Sequence, residues 1–487
     1  MAQSKENTRN IVVKSLVWAF GEHMSAQLIS VIVTVILARL LDPEHYGIIS
    51  IVTVCLSLMD IFVSSGFGSA LIQKKEADSL DFNTAFSMSF GLSWLLYVLM
   101  YLAAPWIAVG YEMPELCAVL RVMGLRIPIA AISNIQQADL RRSMNFKRFF
   151  WVHIIAVVFS GVTGIALAKL GYGVWALVAQ SLSNAAIGTI IMLFVGTWRP
   201  RLQYSWTRAK AIWSFGWKVL MTRMIATLES DIRSLIVGGV FGAADLAYYD
   251  QGKKYPSLLV MNISNTIDKV MLPVYSKEQD QVDRLLSMLR RSIRTGTYVL
   301  APMLIGFAAV SEQFVEVFLT DKWLPCVPYM QIFCITFLTR PLESSCNQAL
   351  LAIGKSGTAL RAMIVINVVA LCGVIISVYL FESVFAIAIT SLVNTLVSVI
   401  CFLVLTRRHF CYTLKMQLQD IMPSLAISVI MIVGVILAGK LNGDPLLVLG
   451  VQVLNGAIIY IGSSAVLKLE IFYYLLGMLK NTLPKRK

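Results

Sequence analysis

Residues 384–405 read VFAIAITSLVNTLVSVICFLVL and contain no Asp, Glu, Lys or Arg. An α-helix needs about 20 predominantly apolar residues to cross bilayer hydrocarbon, and this stretch supplies them without interruption. The run before it, 361–380, is apolar in the same way, with Arg361 at its edge. Working outward in both directions gives fourteen such runs: 15–38, 47–72, 84–109, 116–138, 149–169, 173–196, 211–239, 246–275, 293–318, 327–353, 361–380, 384–405, 420–439 and 445–467. The seventh and eighth are long and charged, and read as tilted, broken or partly outside the bilayer. The expected fold class is therefore an all-α membrane protein of about 14 transmembrane helices.

Composition agrees. The chain has 487 residues, 57% hydrophobic and 14% charged, with mean hydropathy +0.74. Soluble domains carry roughly 25% charged residues. The net charge of +14 would point to nucleic acid in a soluble protein, but membrane proteins collect basic residues in cytoplasmic loops, so no nucleic-acid partner is expected. The cysteines form no C-x-x-C pair and mostly sit in apolar runs, so they read as small buried hydrophobes; no metal site or cofactor is expected. Met1–Lys14 is polar, and no small-residue cleavage site follows the first run. That run reads as a membrane helix rather than a removed signal peptide.

Charge asymmetry sets the orientation. With the N-terminus cytoplasmic, the inner segments hold most of the basic residues, among them Lys74, Lys75, Arg141, Arg142, Arg199, Arg201, Arg208, Arg290, Arg291, Arg294, Arg407 and Arg408. The outer segments hold only Arg39, Lys169, Lys322 and Lys440. This places both termini in the cytoplasm with an even number of spans. No loop is long enough for a folded catalytic domain.

The chain also repeats itself weakly, in order. Trp18-Ala-Phe-Gly21 recurs as Trp213-Ser-Phe-Gly216, the stretch Ile36–Pro43 aligns with Ile236–Ala243, and Gln137-Ala138 parallels Gln348-Ala349. The expected organisation is two six-helix lobes, 1–205 and 206–410, followed by an extra helix pair and cytoplasmic tail, 411–487. Duplicated halves around a central site are a transporter architecture.

A charge at mid-bilayer costs at least a few kcal/mol, so it faces a wet cavity, finds a partner or snorkels. The seventh span carries Arg223, Glu229, Asp231 and Arg233, and reads either as a self-neutralised structural cluster or as a cavity-facing helix. Glu229 and Arg233 are spaced to pair on one helix face. The eighth carries Asp250, Lys253 and Lys254, with Asp268 and Lys269 nearer its cytoplasmic end. The fourth carries Arg121 and Arg126 in its outer half, with no acid beside them. The tenth carries Arg340 with Glu343 one turn on, either a local pair or a ligand site. The first two carry Glu22, His23 and Asp60, as ion-coupling carboxylates or as counter-ions to the arginines. Arg121, Arg126, Arg223, Arg233, Lys253, Lys254 and Arg340 thus sketch a basic chamber. Glu22, Asp60, Glu229, Asp231, Asp250 and Glu343 are the candidate ion-coupling or counter-ion residues. Arginine and lysine suit phosphate, so the chamber favours an anionic substrate. No P-loop, H-E-x-x-H or G-x-S-x-G motif is present, and no enzyme activity is expected.

Several stretches carry a family resemblance: 37–47 (LARLLDPEHYG), 66–73 (GFGSALIQ), 137–148 (QADLRRSMNFKR), 171–180 (GYGVWALVAQ) and Trp198-Arg-Pro200. They resemble the polysaccharide-export, or Wzx flippase, branch of the multidrug/oligosaccharidyl-lipid/polysaccharide exporter superfamily, and within it the lipopolysaccharide- and colanic-acid-type members. The resemblance implies a MATE-like fold, two six-helix lobes around a V-shaped cavity, working by alternating access. It implies flipping of undecaprenyl-pyrophosphate-linked oligosaccharide from the cytoplasmic to the outer leaflet of the bacterial cytoplasmic (inner) membrane, for surface polysaccharide synthesis. The implied partners are that lipid-linked oligosaccharide and membrane lipid, with proton or sodium as candidate coupling ions and the polysaccharide polymerase machinery as a candidate associate. The rival readings are a cation-coupled multidrug exporter of the same fold, a membrane polysaccharide polymerase or glycosyltransferase, and a scaffold for polysaccharide assembly.

Overall fold

The computed structural model describes residue 21 and residues 25–74, 77–142, 146–196, 198–279, 281–441 and 443–482. Most of the start of the first apolar run, with Glu22 and His23, lies outside the described residues, as do Lys75, both basic ends of the chain and the side chains of Glu229, Asp268 and Lys269. Among the described residues every regular element is helical, and all fourteen apolar runs are mainly helix. Nine described helices are long and apolar enough to cross a membrane, or ten if Val282–Ala309 and Ser311–Leu319, bent by 72°, count as one broken span. This is a multi-pass, all-α membrane protein.

The chain forms two compact units, Met1–Ala247 and Tyr248–Lys487. The first begins with α1 (Ser25–Leu40) and α2 (Pro43–Asp60), which ends in a π-helical turn, Ile61–Ser65, before α3 (Phe67–Gln73). Pro43 occupies the first turn of α2, where its missing N–H is not needed. Then follow α4 (Ser79–Gly110), α5 (Pro114–Gly124), α6 (Arg126–Arg142), α7 (Phe146–Lys169), α8 (Val174–Val195) and α9 (Trp206–Phe241). Gly171 and Gly173 take φ of 82° and 54° in the α7–α8 connection, a conformation that glycine adopts without strain, and α7 packs along α8.

Small residues bring α9 and its successor close to α2 and α3. A Cβ on Gly66 would lie 2.9 Å from the Gly216 carbonyl oxygen, and one on Gly47 would run into the backbone of Ala243. Beside the Gly66–Gly216 crossing, Phe67, Leu71, Phe82, Phe86, Ile135 and Ile212 form a buried cluster against Trp198.

The next helix, α10 (Ala243–Lys277), leads into the second unit. It is followed by α11 (Val282–Ala309), α12 (Ser311–Phe314), a π-helical turn at Val315–Leu319 and a 3₁₀ segment at Asp321–Cys326. Then come α13 (Val327–Phe337), α14 (Arg340–Ala352), α15 (Ser356–Phe381), α16 (Val384–Phe410), α17 (Leu414–Gly439), α18 (Pro445–Val466) and α19 (Glu470–Thr482). α17 packs along both α11 and α18. The outer faces of α15 to α18 expose Ile375, Leu396, Ile400, Val433 and Ile458, as surfaces solvated by lipid do.

The structure adds three details to the sequence reading. The fourth and tenth spans are each two helices, α5–α6 and α13–α14. Pro128 and Pro341 stand in the first turns of α6 and α14. Neither has an N–H for the carbonyl four residues earlier, and the α-helix is interrupted by turn residues at Leu125 and at Leu338–Thr339. The seventh and eighth spans are unbroken, with 36 residues in α9 and 35 in α10. At 1.5 Å per residue each is over 50 Å long, against about 30 Å of hydrocarbon. The tail after the last span includes a further helix, α19.

Candidate functional site

Arg126 opens α6 and stands one residue from the midpoint of the span Pro114–Leu140. Its partner comes from α2. Arg126 Nη2 lies 3.9 Å from Asp60 Oδ2, and both side chains are about one-third exposed (35% and 33%). Asp60 is the last residue of α2, immediately before the π-helical turn. Such turns are rare and frequent at functional sites. One turn earlier on α2, Ser57 Oγ donates to Asp231 Oδ2 on α9 at 2.9 Å. One polar layer thus joins α2, α6 and α9, through Asp60–Arg126 and Ser57–Asp231. Ser57 was not singled out in the sequence, because a lone serine in an apolar run carries no signal until its partner from α9 is known.

The other cations on these helices differ from Arg126. Arg121 is on α5, but its guanidinium covers the Tyr101 ring at 4.3 Å and Nε donates to the Tyr101 carbonyl at 3.4 Å. That makes it a stacked residue between α4 and α5. Arg223 stands near the middle of α9, exposed, with no ion-pair partner among the described residues. Arg233 is half-buried two residues after Asp231, and the Glu229 side chain proposed to pair with it lies outside the described residues.

In the second unit, α10 carries Asp250, Lys253 and Lys254, all half-buried. Asp250 and Lys254 are four residues apart, on one face of α10. Arg340 opens α14, near the middle of the stretch that α13 and α14 form together, as Arg126 opens α6. Its Nη1 is 3.6 Å from Glu343 Oε2, and its guanidinium lies 5.8 Å from the Phe337 ring centre. Glu343 also accepts from Thr339 Oγ1 at 2.9 Å. Of the two readings given for Arg340, the local pair is present. Among the described residues no group of three His, Cys, Asp or Glu could hold a metal ion.

The second unit also holds an apolar cleft of about 400 Å³ that the sequence did not reveal. Met303, Gly306 and Phe307 of α11, Met431 and Val435 of α17, and Gly456, Ala457 and Tyr460 of α18 line it. Gly456 lets α18 approach α17, since a Cβ there would lie 3.0 Å from Val435 Cγ2.

Residues 36–328 match the family described as polysaccharide biosynthesis protein. The chain belongs to this family. The chain is 27% identical over 305 residues to the teichuronic acid biosynthesis protein TuaB of Bacillus subtilis, covering 61% of this chain and 62% of that one. It is 22% identical over 323 residues to the lipopolysaccharide biosynthesis protein WzxC of Escherichia coli, covering 65% of each. These matches span less than two thirds of the relatives' own length. Among solved structures, the lipid II flippase MurJ in an inward closed conformation superposes with TM-score 0.74 at 13% identity, over 93% of this chain and 98% of that one. An inward-facing MATE family multidrug resistance transporter superposes with TM-score 0.62 at 16% identity, over 78% of this chain and 94% of that one. At these identities the likeness is one of fold, and this member of the polysaccharide biosynthesis family has the MATE-like fold that the resemblance implied.

Proposed function

We propose that this protein is a transporter, not an enzyme, that flips an undecaprenyl-pyrophosphate-linked oligosaccharide across the bacterial cytoplasmic membrane by alternating access, delivering it to the outer leaflet for surface polysaccharide synthesis. In this reading the chain crosses fourteen times, both termini are cytoplasmic, 1–205 and 206–410 are the two six-helix lobes, and α17–α18 are an added pair. Family membership and the names of the relatives support the class of substrate. The observation that carries the mechanism is Arg126, near the centre of a span, partly open, and paired only loosely with Asp60.

An arginine facing hydrocarbon there would cost at least a few kcal/mol. The opening around Arg126 is therefore aqueous in this reading, and the pyrophosphate is the ligand that its fork of donors suits. Arg223 and Arg340, also near the middles of their spans, are proposed as further contacts. Arg233, Lys253 and Lys254 add positive potential, and Arg121, stacked on Tyr101, adds to it from a distance. Asp60 releases Arg126 when the pyrophosphate arrives, and is the first candidate for proton or sodium coupling, ahead of Asp231 and Asp250. The long apolar tail needs no aqueous route, and the cleft between α11, α17 and α18 is proposed to hold part of it. Leaflet exchange of a labelled undecaprenyl-pyrophosphate oligosaccharide in proteoliposomes tests the proposal.

A further inference from the structure

A further basic cluster stands in the first half of α11. Arg290, Arg291 and Arg294 stand there, and Asp420 of α17 is buried among them. Arg290 donates to Asp420 through Nε and Nη2 at 2.8 and 2.9 Å, Arg294 Nε donates at 2.6 Å, and Tyr412 Oη donates at 2.8 Å. These bonds fix the two guanidinium planes. Arg294 Nη1 then reaches Glu470, at the start of α19, at 3.2 Å. Arg291 is exposed, has no carboxylate partner among the described residues, and lies over the Tyr474 ring at 5.0 Å. Three guanidinium groups therefore face two carboxylates, and the unmatched charge belongs to Arg291.

These residues enclose a cleft of about 210 Å³ lined by Ser287, the three arginines, Glu470, Ile471 and Tyr474. Ser287, Arg291 and Arg294 fall at i, i+4 and i+7 of α11, one helix face. The far wall is α19, whose Ile471, Phe472 and Leu475 pack on the α11–α17–α18 core while Tyr473 and Tyr474 stay exposed. An amphipathic helix with exposed tyrosines after the last span is a helix of the membrane–water boundary. The cleft thus combines rigid cation donors, a hydroxyl and an aromatic wall at the height of lipid headgroups.

We propose that this cleft binds the phosphate of an anionic phospholipid of the cytoplasmic leaflet, with Arg291 as the main contact and Arg294 and Ser287 beside it. Basic pockets between helices on the cytoplasmic side are suited to such headgroups. The inference rests on the orientation proposed above but not on the substrate. A free inorganic phosphate offers the same oxygen acceptors, but it would gain nothing from the apolar wall of Ile471 and Tyr474.

The test is lipid retention by the purified full-length protein, read by native mass spectrometry after equilibration with mixed micelles of phosphatidylglycerol and phosphatidylcholine. Wild type should retain phosphatidylglycerol in preference. Arg291→Ala should reduce that retention by about tenfold, which corresponds to about 1.4 kcal/mol. Arg361→Ala, a change at an exposed arginine at the start of α15, should leave it unchanged. Millimolar inorganic phosphate should not displace the lipid. Arg291→Gln, closer in length, gives the same readout if Arg291→Ala lowers the unfolding temperature. Equal retention by wild type and the folded Arg291 variants overturns the site, as does equal retention of the two lipids by wild type. Displacement by inorganic phosphate overturns the lipid as its occupant. None of these results depends on transport, so failure here and failure of the flippase reading are separate events.

Discussion

Arg126 and Asp60 meet across α6 and α2 at 3.9 Å, each beside an irregularity in its helix: the proline break before α6 and the π-helical turn after α2. Both side chains are about one-third open, so the pair is a weak one. Exposed ion pairs contribute roughly 0–1 kcal/mol. A double-mutant cycle of Asp60→Asn and Arg126→Gln, followed by thermal unfolding in detergent, should therefore give a coupling energy of about 1 kcal/mol or less. In transport the two should separate: Arg126→Gln should lose most activity, whereas Asp60→Asn should keep substrate binding and change the dependence on ion gradients. A large stability coupling with unchanged transport would make the pair a structural strut.

Asp420 behaves in the opposite way. Its side chain is fully buried among Arg290, Arg294 and Tyr412, and breaking a buried pair leaves uncompensated charge, at about 3–5 kcal/mol. Asp420→Asn should lower the unfolding midpoint markedly, while Glu470→Gln, at the exposed end of the same network, should change it little. Similar midpoints for the two variants would contradict the assignment.

Asp78 caps α4 in a reciprocal arrangement with Asp81, and Arg208 pairs with both. The Asp81 backbone N–H, and next to it Arg208, pull the Asp78 carboxyl down to about 2. A depressed carboxyl stabilises the fold above its ordinary range near 4, and that contribution is lost as pH falls through about 2. The difference in unfolding temperature between wild type and Asp78→Asn should be present at pH 6 and shrink between pH 4 and pH 2. A difference that grows on acidification would contradict this sign.

The apolar cleft offers a test of tail binding. Ala457 lines it between α17 and α18, and Ala457→Trp would occupy much of its volume. Flipping of the undecaprenyl-linked substrate should slow several-fold, and a short-chain prenyl analogue should be affected less. Equal slowing of both would move the tail elsewhere.

Much of the fold is legible in the sequence because bilayer thickness fixes how long an apolar run must be, and lipid forces each run to be helical. The breaks before Arg126 and Arg340 were also written there, as Pro128 and Pro341, but proline alone does not tell a bend from a break. The π-helical turn after Asp60 has no residue signature. α19 escaped notice because a short amphipathic helix lies outside any search for membrane-length runs. Individual intramembrane charges stood out, but their partners did not. Ser57–Asp231 and Arg290–Asp420 join residues 174 and 130 positions apart, and only packing brings them together. For Arg121, the aromatic partner on α4 stands 20 positions away and was equally invisible.

The most direct test is leaflet exchange in proteoliposomes carrying a labelled undecaprenyl-pyrophosphate oligosaccharide, read with an impermeant sugar-modifying reagent, for wild type, Arg126→Ala and Arg223→Ala. Wild type should exchange rapidly and folded Arg126→Ala at least tenfold more slowly, a loss of about 1.4 kcal/mol or more in transport free energy, with a smaller loss for Arg223→Ala. Exchange by Arg126→Ala at the wild-type rate would contradict the proposed basic site. Absence of exchange by folded wild type, across several glycans and with proton and sodium gradients imposed, would contradict the flippase itself.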